Sequence, residues 1–383
     1  MDLPWDVHPQ LLDNWIAGMG GSGHPAPIRV AMNNSATSFP TTDPTPIFEY
    51  FRGNHATEIL VTSVCHLQLF DLLQGEQLDW DGLKEATQLE ERPLNVVVTA
   101  LRAMGLLQKD FSGNYRPTAL AAEHLGDFLD YGINGYIGLG ADSPGVLAFL
   151  DQLRGNQPKG VDDPESGAAF IFKEGMDSAM HNDHDARNLT LSLAGRAMNV
   201  APYLAARLDL SGTNTLLDIG CGSGLYSIAL AQRHPGLKVI LLDSQEVLKV
   251  AEEFAREHGV EDQMVFQAGD MFEDDLPESD AVLLSNILHD WDVPECVRLL
   301  ERSAGALKKN GKLWIHDVFM DDGLDGPLPL ALYSASLFTL TEGRVYSAGE
   351  YREMLGKAGL AAKGTVQPTL VHCGVLEAGL AKS

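Results

Sequence analysis

The sequence predicts an α/β protein built on a doubly wound, mostly parallel sheet, and three observations support this. From Thr215 onward, short apolar segments alternate with helical segments, as in a parallel sheet with helices on both faces. A glycine-rich turn from Gly220 to Gly224 joins the first of these strands to a helix. Residues 364–368 and 371–378 form two strand-like segments joined by a short turn. They predict an antiparallel strand at one edge of the sheet.

The composition is that of an ordinary globular protein. The chain has 383 residues, which is long enough for two domains. Of these residues, 45% are hydrophobic and 21% are charged. Lys and Arg number 27 against 53 Asp and Glu, and the net charge of -26 disfavours contact with nucleic acid or anionic lipid. The four cysteines are scattered singly, and no signal peptide or membrane span is recognisable. We therefore expect reduced thiols and a cytoplasmic protein with no nucleic-acid or membrane partner.

The N-terminal part of the chain has two sections. Residues 1–44 are rich in glycine, proline and small polar residues, which predicts a flexible arm. Residues 45–160 contain three helical segments followed by two short strands around a turn, which is a winged-helix pattern. The third helix offers only Arg92 and Arg102 among many apolar side chains. A dimerisation domain is therefore favoured over a DNA-binding domain.

Residues 161–210 are predicted to be largely helical and to bridge the two domains. We expect this bridge to form part of the substrate pocket. Residues 181–185, with the sequence His-Asn-Asp-His-Asp, include side-chain types that can bind a metal ion. A hydrated helix face or turn is the favoured interpretation, because no second cluster lies at a matching spacing. No metal site is therefore expected.

The sheet domain, residues 211–383, carries acidic residues at the ends of successive strands. Ligands of such sheets bind beyond the carboxyl ends of the strands. Asp218 ends the first strand, and Asp243 ends the second, where a carboxylate can accept two hydrogen bonds from a ribose diol. After the third strand, Asp270 can accept a hydrogen bond from an adenine amine, and Met271 can pack on the ring. These positions predict an adenosine-containing cofactor.

Two classes of cofactor compete for this site, a dinucleotide for hydride transfer and S-adenosylmethionine for methyl transfer. A dinucleotide turn has the spacing G-x-G-x-x-G. Here the glycines are Gly220, Gly222 and Gly224, so the third comes one residue early. Asp218, just before the turn, would repel a pyrophosphate but can receive an ammonium group. The turn therefore favours S-adenosylmethionine.

The fourth strand is followed by a candidate general base. Residues 285–291 have the sequence Ser-Asn-Ile-Leu-His-Asp-Trp, which places His289 next to the sulfonium end of the predicted cofactor. An imidazole at this position can take a proton from a hydroxyl group as its oxygen attacks the methyl group. The predicted cofactor-binding residues are Asp218, Gly220, Gly222, Gly224, Asp243, Asp270, Met271, Phe272, Ser285 and Trp291.

As a set, these motifs resemble those of the small-molecule O-methyltransferases, the family of the plant caffeate and animal acetylserotonin enzymes. The similar stretches are 217–224, 269–272 and 288–291, and residues 326–344 resemble the substrate-side helix of the family and its following loop. The resemblance implies a winged-helix dimerisation domain joined to a class I S-adenosylmethionine-binding domain. It also implies a homodimer, a metal-free reaction with S-adenosylhomocysteine as product, and His289 as the general base.

Two positions depart from the family pattern. Asp317 replaces a glutamate after the fifth strand and could still orient His289. Val345 replaces a second glutamate and cannot hydrogen-bond an imidazole, although Glu342 could compensate. The resemblance thus implies His289, Asp317 and Glu342 as the catalytic residues. The acceptor-binding residues that we expect are Met176, Met180, His181, Asp290, Leu332 and Ser336.

The predicted activity is transfer of a methyl group to a hydroxyl group of a small aromatic metabolite. Methylation of carbon, or a reaction that uses S-adenosylmethionine without methyl transfer, remains an alternative because the same cofactor site serves all of these reactions. An NAD-dependent oxidoreductase and a metabolite-sensing winged-helix regulator are less favoured alternatives.

Overall fold

The computed structural model describes residues 35–75, 77–127, 129–156 and 183–381. The N-terminal part is mainly helical, and its apolar helix faces make the core of this unit. The elements of this unit are α1 (Thr45–Arg52), α2 (Ala56–Val61), α3 (Leu69–Gly75), α4 (Trp80–Thr87), α5 (Glu91–Ala103), β1 (Leu107–Lys109), β2 (Tyr115–Pro117), α6 (Ala119–His124), α7 (Asn134–Ile137) and α8 (Pro144–Gly155).

Local signals in the sequence explain how the winged-helix elements begin and end. The side chain of Asp79 caps α4 by accepting a hydrogen bond of 2.9 Å from the Gly82 N–H. Helix α5 begins at Glu91 and buries an apolar face that includes Leu94 and Leu101. Strands β1 and β2 form the predicted antiparallel hairpin. Among the described residues, five α-helices precede this hairpin where the sequence predicted three helices, because residues 45–75 divide into α1, α2 and α3.

Both arginines of α5 contact the C-terminal unit. The Arg92 guanidinium donates to the carbonyl oxygens of Thr341 at 3.0 Å and Gly343 at 3.3 Å. Arg102 donates to backbone oxygens in the loop before the substrate-side helix and pairs with Asp325 at 3.3 Å. Both arginines are therefore bonded within the protein, whereas a helix that reads DNA would direct such side chains at phosphates.

The C-terminal unit alternates strands and helices. Its elements are α9 (Asp183–Arg207), β3 (Thr215–Ile219), α10 (Leu225–Arg233), β4 (Lys238–Asp243), α11 (Gln245–Glu257), β5 (Met264–Ala268), β6 (Ser279–Ser285), α12 (Val293–Ala306), β7 (Leu307–Val318), α13 (Leu328–Leu340), α14 (Ala348–Lys357), β8 (Leu360–Pro368) and β9 (Cys373–Leu380). The predicted strands are present, and β7 begins earlier than the predicted Leu313.

The seven strands of this unit form one sheet in the order β5-β4-β3-β6-β7-β9-β8. Strands β3 to β7 pair in parallel, and strand order reverses between β3 and β6. The two C-terminal strands pair antiparallel at one edge, as predicted. Strand β9, which runs against the parallel strands, lies next to the edge, and β8 is outermost. The sequence-based fold class is confirmed.

The predicted arm ends on the C-terminal unit of the same chain. The Ser35 hydroxyl donates to the side chain of Gln232 at 2.7 Å, and the rings of Phe39 and Tyr203 meet edge to face at 4.9 Å. Ala36 is fully buried. The rest of the predicted arm, residues 1–34, lies outside the described residues.

Within the described part of the chain, a single helix long and apolar enough to cross a bilayer does not occur. One pair of helical segments, 45–66 and 69–75, passes a test of length and composition when taken together, with a bend of 53° between them.

Candidate active site

A cavity of about 410 Å³ opens at the carboxyl ends of the parallel strands, next to the point where strand order reverses. This is where open α/β sheets bind their ligands. Gly224 is the one predicted cofactor residue that does not line the cavity; it lies at the start of α10, where a Cβ atom would contact Leu241 and Ala251. The predicted residues that line it are Asp218, Gly220, Gly222, Asp243, Asp270, Met271, Phe272, Ser285 and Trp291.

The glycine turn after β3 forms one wall of the cavity, and its backbone requires glycine. Gly220 has a φ of 67°, and a Cβ atom there would lie 2.5 Å from Ile287 Cδ1 in the turn after β6. Gly222 has a φ of 54° and faces open space. Its N–H donates to Asp243 Oδ2 at 2.8 Å, which ties the turn to the end of β4. The backbone itself therefore forms a smooth surface for a ligand.

Asp218 is a buried carboxylate with one unused oxygen. It is 1% exposed, and its Oδ2 accepts a hydrogen bond of 2.6 Å from the Ser227 hydroxyl. Its Oδ1 is buried without a hydrogen-bond partner among the described residues. Burial, followed by the charge of Asp243, raises the pKa of Asp218 to about 7. The arrangement favours a ligand that brings a positive charge or hydrogen-bond donors to this oxygen.

The other predicted acids differ in how much of their hydrogen-bonding capacity is used. Asp243 accepts from the N–H groups of Gly222 and Ser244, each at 2.8 Å, and burial raises its pKa to about 6. Asp270 is exposed at the cavity rim, and its Oδ1 accepts from the Phe272 N–H at 2.7 Å, which closes a local turn. Both acids retain acceptor capacity for a ligand.

Apolar side chains cover the far side of the cavity. Phe272 and Trp291 meet edge to face, with their ring centres 4.7 Å apart. Met271 lies beside them in the cavity wall. Flat, apolar walls of this kind suit a heteroaromatic ring.

These residues fit S-adenosylmethionine, which carries an ammonium group, a ribose diol and an adenine ring. The unpartnered Oδ1 of Asp218 matches a cationic group, and the side chain of Asp243 matches a diol. The open space in front of Gly222 would be filled by any Cβ atom at that position. The donor set and the shape of the cavity therefore agree with the cofactor predicted from the sequence.

His289 lies just behind the cavity wall and bonds to Asp317. The imidazole is 3% exposed, and its neighbours Ile287 and Asp290 line the cavity. Nδ1 of His289 makes a short hydrogen bond to Oδ1 of Asp317 at the end of β7. An ionised carboxylate can only accept, so Nδ1 carries the proton and Nε2 keeps a lone pair. Burial, the largest single effect, lowers the pKa of His289, but the charges of Asp317 and Asp290 and the hydrogen bond to Asp317 together outweigh it and raise the pKa.

Asp317 is held by two further hydrogen bonds. The Val318 N–H donates to Oδ1 at 2.8 Å, and the Tyr351 hydroxyl donates to Oδ2 at 3.1 Å. Burial would raise the pKa of Asp317, yet His289 and these donors lower it below its ordinary value. Sequence reasoning missed Tyr351, which lies 34 residues away on α14 and has no local signal.

Asp290 provides the second carboxylate near the imidazole. Its Oδ1 lies 3.5 Å from Nε2 of His289, and burial raises its pKa to about 6. Asp290 also lines the cavity, and its predicted contact with the acceptor stays a prediction. The predicted compensating acid, Glu342, donates its backbone N–H to the Asp290 carbonyl at 3.2 Å. Val345 is buried, and its N–H bonds to Ser334 Oγ at 3.1 Å.

Ser285, a predicted cofactor residue, belongs to a buried polar network at the end of β6. Its hydroxyl bonds to Nδ1 of His316 at 2.8 Å and accepts from the Asn286 side chain at 3.2 Å. Burial lowers the pKa of His316 to about 3, so this imidazole is neutral at pH 7. The network fixes the floor of the cavity beside His289.

The predicted acceptor-binding residues of α13 face the N-terminal unit. Ser336 donates to the Asn54 side chain at 2.9 Å, and Leu332 is buried at the contact with α1. The neighbouring Tyr333 instead directs its ring toward His289, at 6.1 Å between ring centres. The predicted helix is present, but the residue that faces His289 is Tyr333, which follows Leu332 directly in the chain. Met176, Met180 and His181 lie outside the described residues.

Two arginines lie on the same side of the site as Tyr333. Arg52 is 2% exposed, and its guanidinium stacks over the Tyr333 ring at 4.3 Å. Arg196 of α9 lines the cavity, and its Nε is buried without a hydrogen-bond partner among the described residues. Sequence reasoning missed both. A signal exists for Arg196, because it shares one helical face with Leu189 and Leu193.

No group of three or more potential metal ligands occurs within the ranges that the structure describes. The side chains of the predicted polar cluster, residues 181–185, lie outside the described part of the chain.

Comparison with known proteins agrees with this site. A family model described as an O-methyltransferase domain matches residues 171–361. A 3-hydroxy-5-methyl-1-naphthoate 3-O-methyltransferase from Streptomyces sahachiroi is 32% identical over 328 residues, covering 85% of this chain and 91% of that protein. An L-tyrosine C(3)-methyltransferase from Streptomyces lavendulae is 28% identical over 310 residues, covering 78% of this chain and 82% of that protein.

A solved structure is also similar. It is that of an O-methyltransferase family 2 protein from Planctomyces limnophilus in complex with apigenin. Its sequence is 42% identical, its TM-score is 0.81, and the match covers 91% of this chain and 99% of that chain. Family, fold and cofactor site thus agree, and the chain belongs to the O-methyltransferase family of S-adenosylmethionine-dependent methyltransferases.

Proposed function

We propose that this enzyme methylates a hydroxyl group of a small aromatic acceptor, with His289 as the general base. The observation that carries this proposal is the buried bond from Nδ1 of His289 to Asp317 beside the cofactor cavity. It leaves the Nε2 lone pair on the side of Asp290, which lines the cavity. A base in this position can reach a hydroxyl group brought to the methyl donor.

Each residue of the site has a separate task in this proposal. When bound, S-adenosylmethionine supplies an electrophilic methyl group on a positively charged sulfur. Asp218 and Asp243 would hold the cofactor through its ammonium group and its ribose. His289 accepts the proton that the acceptor hydroxyl loses, and Asp317 stabilises the imidazolium that forms. Asp290, 3.5 Å from Nε2 of His289, orients the hydroxyl group.

The test is the substitution His289→Ala. We expect turnover of an aromatic hydroxyl acceptor such as apigenin to fall roughly 10²- to 10⁴-fold, because the proton then has no acceptor in the site. Affinity for S-adenosylmethionine, measured by titration calorimetry, should stay close to that of the unmodified enzyme. Unchanged turnover by His289→Ala would show that another group is the base.

A matched control is His124→Ala in the N-terminal unit. This substitution also removes an imidazole, but one that contacts the Tyr131 carbonyl at 3.1 Å and Glu123 at 3.8 Å rather than groups of the active site. We expect its turnover to equal that of the unmodified enzyme. A similar loss in both variants would indicate a general effect on the fold.

Relatives support an aromatic acceptor but differ in the atom that receives the methyl group. One relative is named for methylation of a naphthoate hydroxyl and another for methylation of a tyrosine carbon. A base beside the methyl donor can serve a hydroxyl or, by deprotonating it, activate the adjacent ring carbon. Locating the new methyl group by NMR decides between the two. A new methoxy signal supports the proposal, and a methyl group on carbon overturns it.

We propose further that the enzyme acts as a homodimer through the N-terminal unit. Ile47, Tyr50 and Phe51 lie on one face of α1 and are 71%, 84% and 77% exposed. Monomeric proteins rarely leave such a group of large apolar side chains in water. A second copy of the chain would cover this face, as the family resemblance also implies.

A further inference from the structure

Arg196 is a cation in the cavity wall with an unused hydrogen-bond donor. Its side chain projects from α9 beside Leu193 and Ala197, which also line the cavity. Its Nε is shielded from solvent and has no partner among the described residues. A buried donor without a partner costs free energy, so such groups in native sites are usually completed by a ligand or water. The complement of a guanidinium is an anion.

Arg196 lines the same cavity as Asp290, the neighbour of His289, and Asn286, which follows β6. Tyr333 and Asp317 are among the groups whose charges act on it. Its own charge acts in turn on His289 and Asp290. An anion bound to Arg196 would therefore lie near the base and the acceptor.

We propose that Arg196 binds a carboxylate of the methyl acceptor, so that the acceptor is an aromatic hydroxy-carboxylate. This inference rests on the proposed function, because it places the carboxylate beside the base that serves the hydroxyl group. A guanidinium presents parallel N–H donors that match the two oxygens of a carboxylate. One relative is named for such an acceptor, a hydroxynaphthoate, whereas the apigenin bound to another carries no carboxylate.

A carboxylate on Arg196 would also strengthen the base. The positive charge of Arg196 lowers the pKa of His289. An anion bound to the guanidinium offsets this charge, because opposite charges at short range cancel each other's field. The imidazole would then accept a proton more readily when the correct acceptor is present.

The experiment measures the binding of two matched probes to the enzyme saturated with S-adenosylhomocysteine. The probes are 3-hydroxy-1-naphthoate and 2-naphthol, which share the ring and the hydroxyl group and differ only in the carboxylate. Titration calorimetry gives the ratio of their affinities for the unmodified enzyme and for Arg196→Met and Arg196→Lys. Circular dichroism and thermal unfolding report whether each variant has folded, and affinity for S-adenosylhomocysteine is measured separately.

We expect the unmodified enzyme to bind the naphthoate roughly ten- to hundredfold more tightly than the naphthol, as for a hydrogen-bonded charge pair. Arg196→Met should reduce this ratio to about one, and Arg196→Lys should keep part of it. The control is Arg187→Met on the same helix. It removes a guanidinium that pairs with Glu253 at 2.9 Å and should leave the ratio unchanged.

Equal affinity of the unmodified enzyme for the two probes would overturn the inference. So would a variant at Arg196 that loses affinity for S-adenosylhomocysteine and keeps the ratio, since Arg196 would then hold the cofactor. If Arg196→Met fails to fold, the test rests on Arg196→Lys. An unchanged ratio of naphthoate to naphthol affinity in that variant, together with weaker binding of S-adenosylhomocysteine, overturns the inference in the same way. Failure of the proposed function looks different, because aromatic hydroxyl compounds with and without a carboxylate would then all remain unmethylated.

Discussion

At the level of single residues, the Tyr351 hydroxyl supplies Asp317 with a hydrogen bond. Val345 cannot give His289 the second acidic partner that the family resemblance implies. Tyr351 does not contact His289 directly; its hydroxyl donates a hydrogen bond of 3.1 Å to Oδ2 of Asp317, which in turn bonds to His289. It thereby fixes the carboxylate that fixes the imidazole, in the same way that outer partners orient ligands in other sites.

Removing this hydroxyl should slow the reaction without weakening binding. For Tyr351→Phe we expect kcat to fall roughly three- to thirtyfold, because Asp317 loses a bond worth about 1–2 kcal/mol. KM for the acceptor and affinity for S-adenosylmethionine should change little, because Tyr351 touches neither. Steady-state kinetics and titration calorimetry provide the measurements.

Tyr346→Phe is the matched control for that variant. Tyr346 is also buried, packs against Tyr351 at 5.5 Å between ring centres, and donates to the Trp291 carbonyl at 2.7 Å. Both variants should lose similar stability, and only Tyr351→Phe should lose kcat. An equal loss of kcat in the two would indicate a structural role for the pair.

The pH dependence of the reaction should report the His289–Asp317 pair. The imidazole is a base only when neutral, and Asp317 raises its pKa above the ordinary value. We therefore expect kcat/KM to rise with pH and to level off above that raised pKa. Asp317→Asn removes the charge, so the inflection should move to lower pH while the plateau rate falls. An inflection that stays in place would exclude His289 as the titrating group; kcat/KM profiles from about pH 5 to 9 test this.

At the level of elements, the segment from β3 through the glycine turn to α10 buries an acid that lowers the folding stability and that we expect to bind the cofactor. Its Asp218 is buried, and its pKa rises from 3.8 to about 7. A carboxyl group whose pKa is raised on folding favours the folded state less and less as pH rises from about 4 to 7. Above pH 7 the buried charge is present in full and destabilises the cofactor-free fold.

Asp218→Asn should therefore stabilise the cofactor-free protein and weaken cofactor binding. At pH 8 we expect the free energy of unfolding to rise by roughly 1–3 kcal/mol, since the amide needs no ionisation. At pH 4 the difference in stability should be much smaller, because the carboxyl is then protonated in the folded state and close to half protonated in the unfolded state. Denaturant unfolding at the two pH values measures this, and calorimetry at pH 8 should show weaker binding of S-adenosylmethionine. Stabilisation without weaker binding would remove Asp218 from the cofactor site.

At the scale of the whole molecule, the N-terminal unit is joined to the C-terminal unit and still exposes an apolar face. Arg52 donates to the Val371 carbonyl at 3.1 Å, and Glu49 pairs with His372 at 2.7 Å. With the two α5 arginines, these contacts hold the helical unit against the loops of the active site. The side chains of Ile47, Tyr50 and Phe51 on α1 stay exposed beside this junction, and they form the interface that we propose for the homodimer.

The dimer is tested by the mass of the enzyme in solution. Light scattering should give twice the chain mass of 41.5 kDa for the unmodified enzyme. The double substitution Tyr50→Glu and Phe51→Glu places charges on the proposed interface and should give the single mass. Phe111→Glu, at an even more exposed aromatic residue of the hairpin turn, should remain dimeric. A monomeric unmodified enzyme, or an unaffected double variant, would contradict the proposal.

The sequence by itself determined the features that depend on neighbours along the chain. The alternation after Thr215 predicted the sheet, and the early third glycine together with Asp218 predicted the class of cofactor. Strand ends lie at one edge of a parallel sheet, so His289 and Asp317 could be expected to be close. These inferences hold because apolar periodicity and backbone strain act locally.

Only the tertiary structure decided which distant side chains complete the site. Tyr351 meets Asp317 from α14, and Tyr333 rather than Leu332 or Ser336 faces His289, because the packing of α13 on the N-terminal helices sets its rotation. Arg196 lines the cavity from a helix that precedes the sheet. The spacing of apolar residues predicts which face of a helix is buried. It does not predict the angle at which a partly polar face packs against another unit. That angle depends on contacts between residues far apart in the chain.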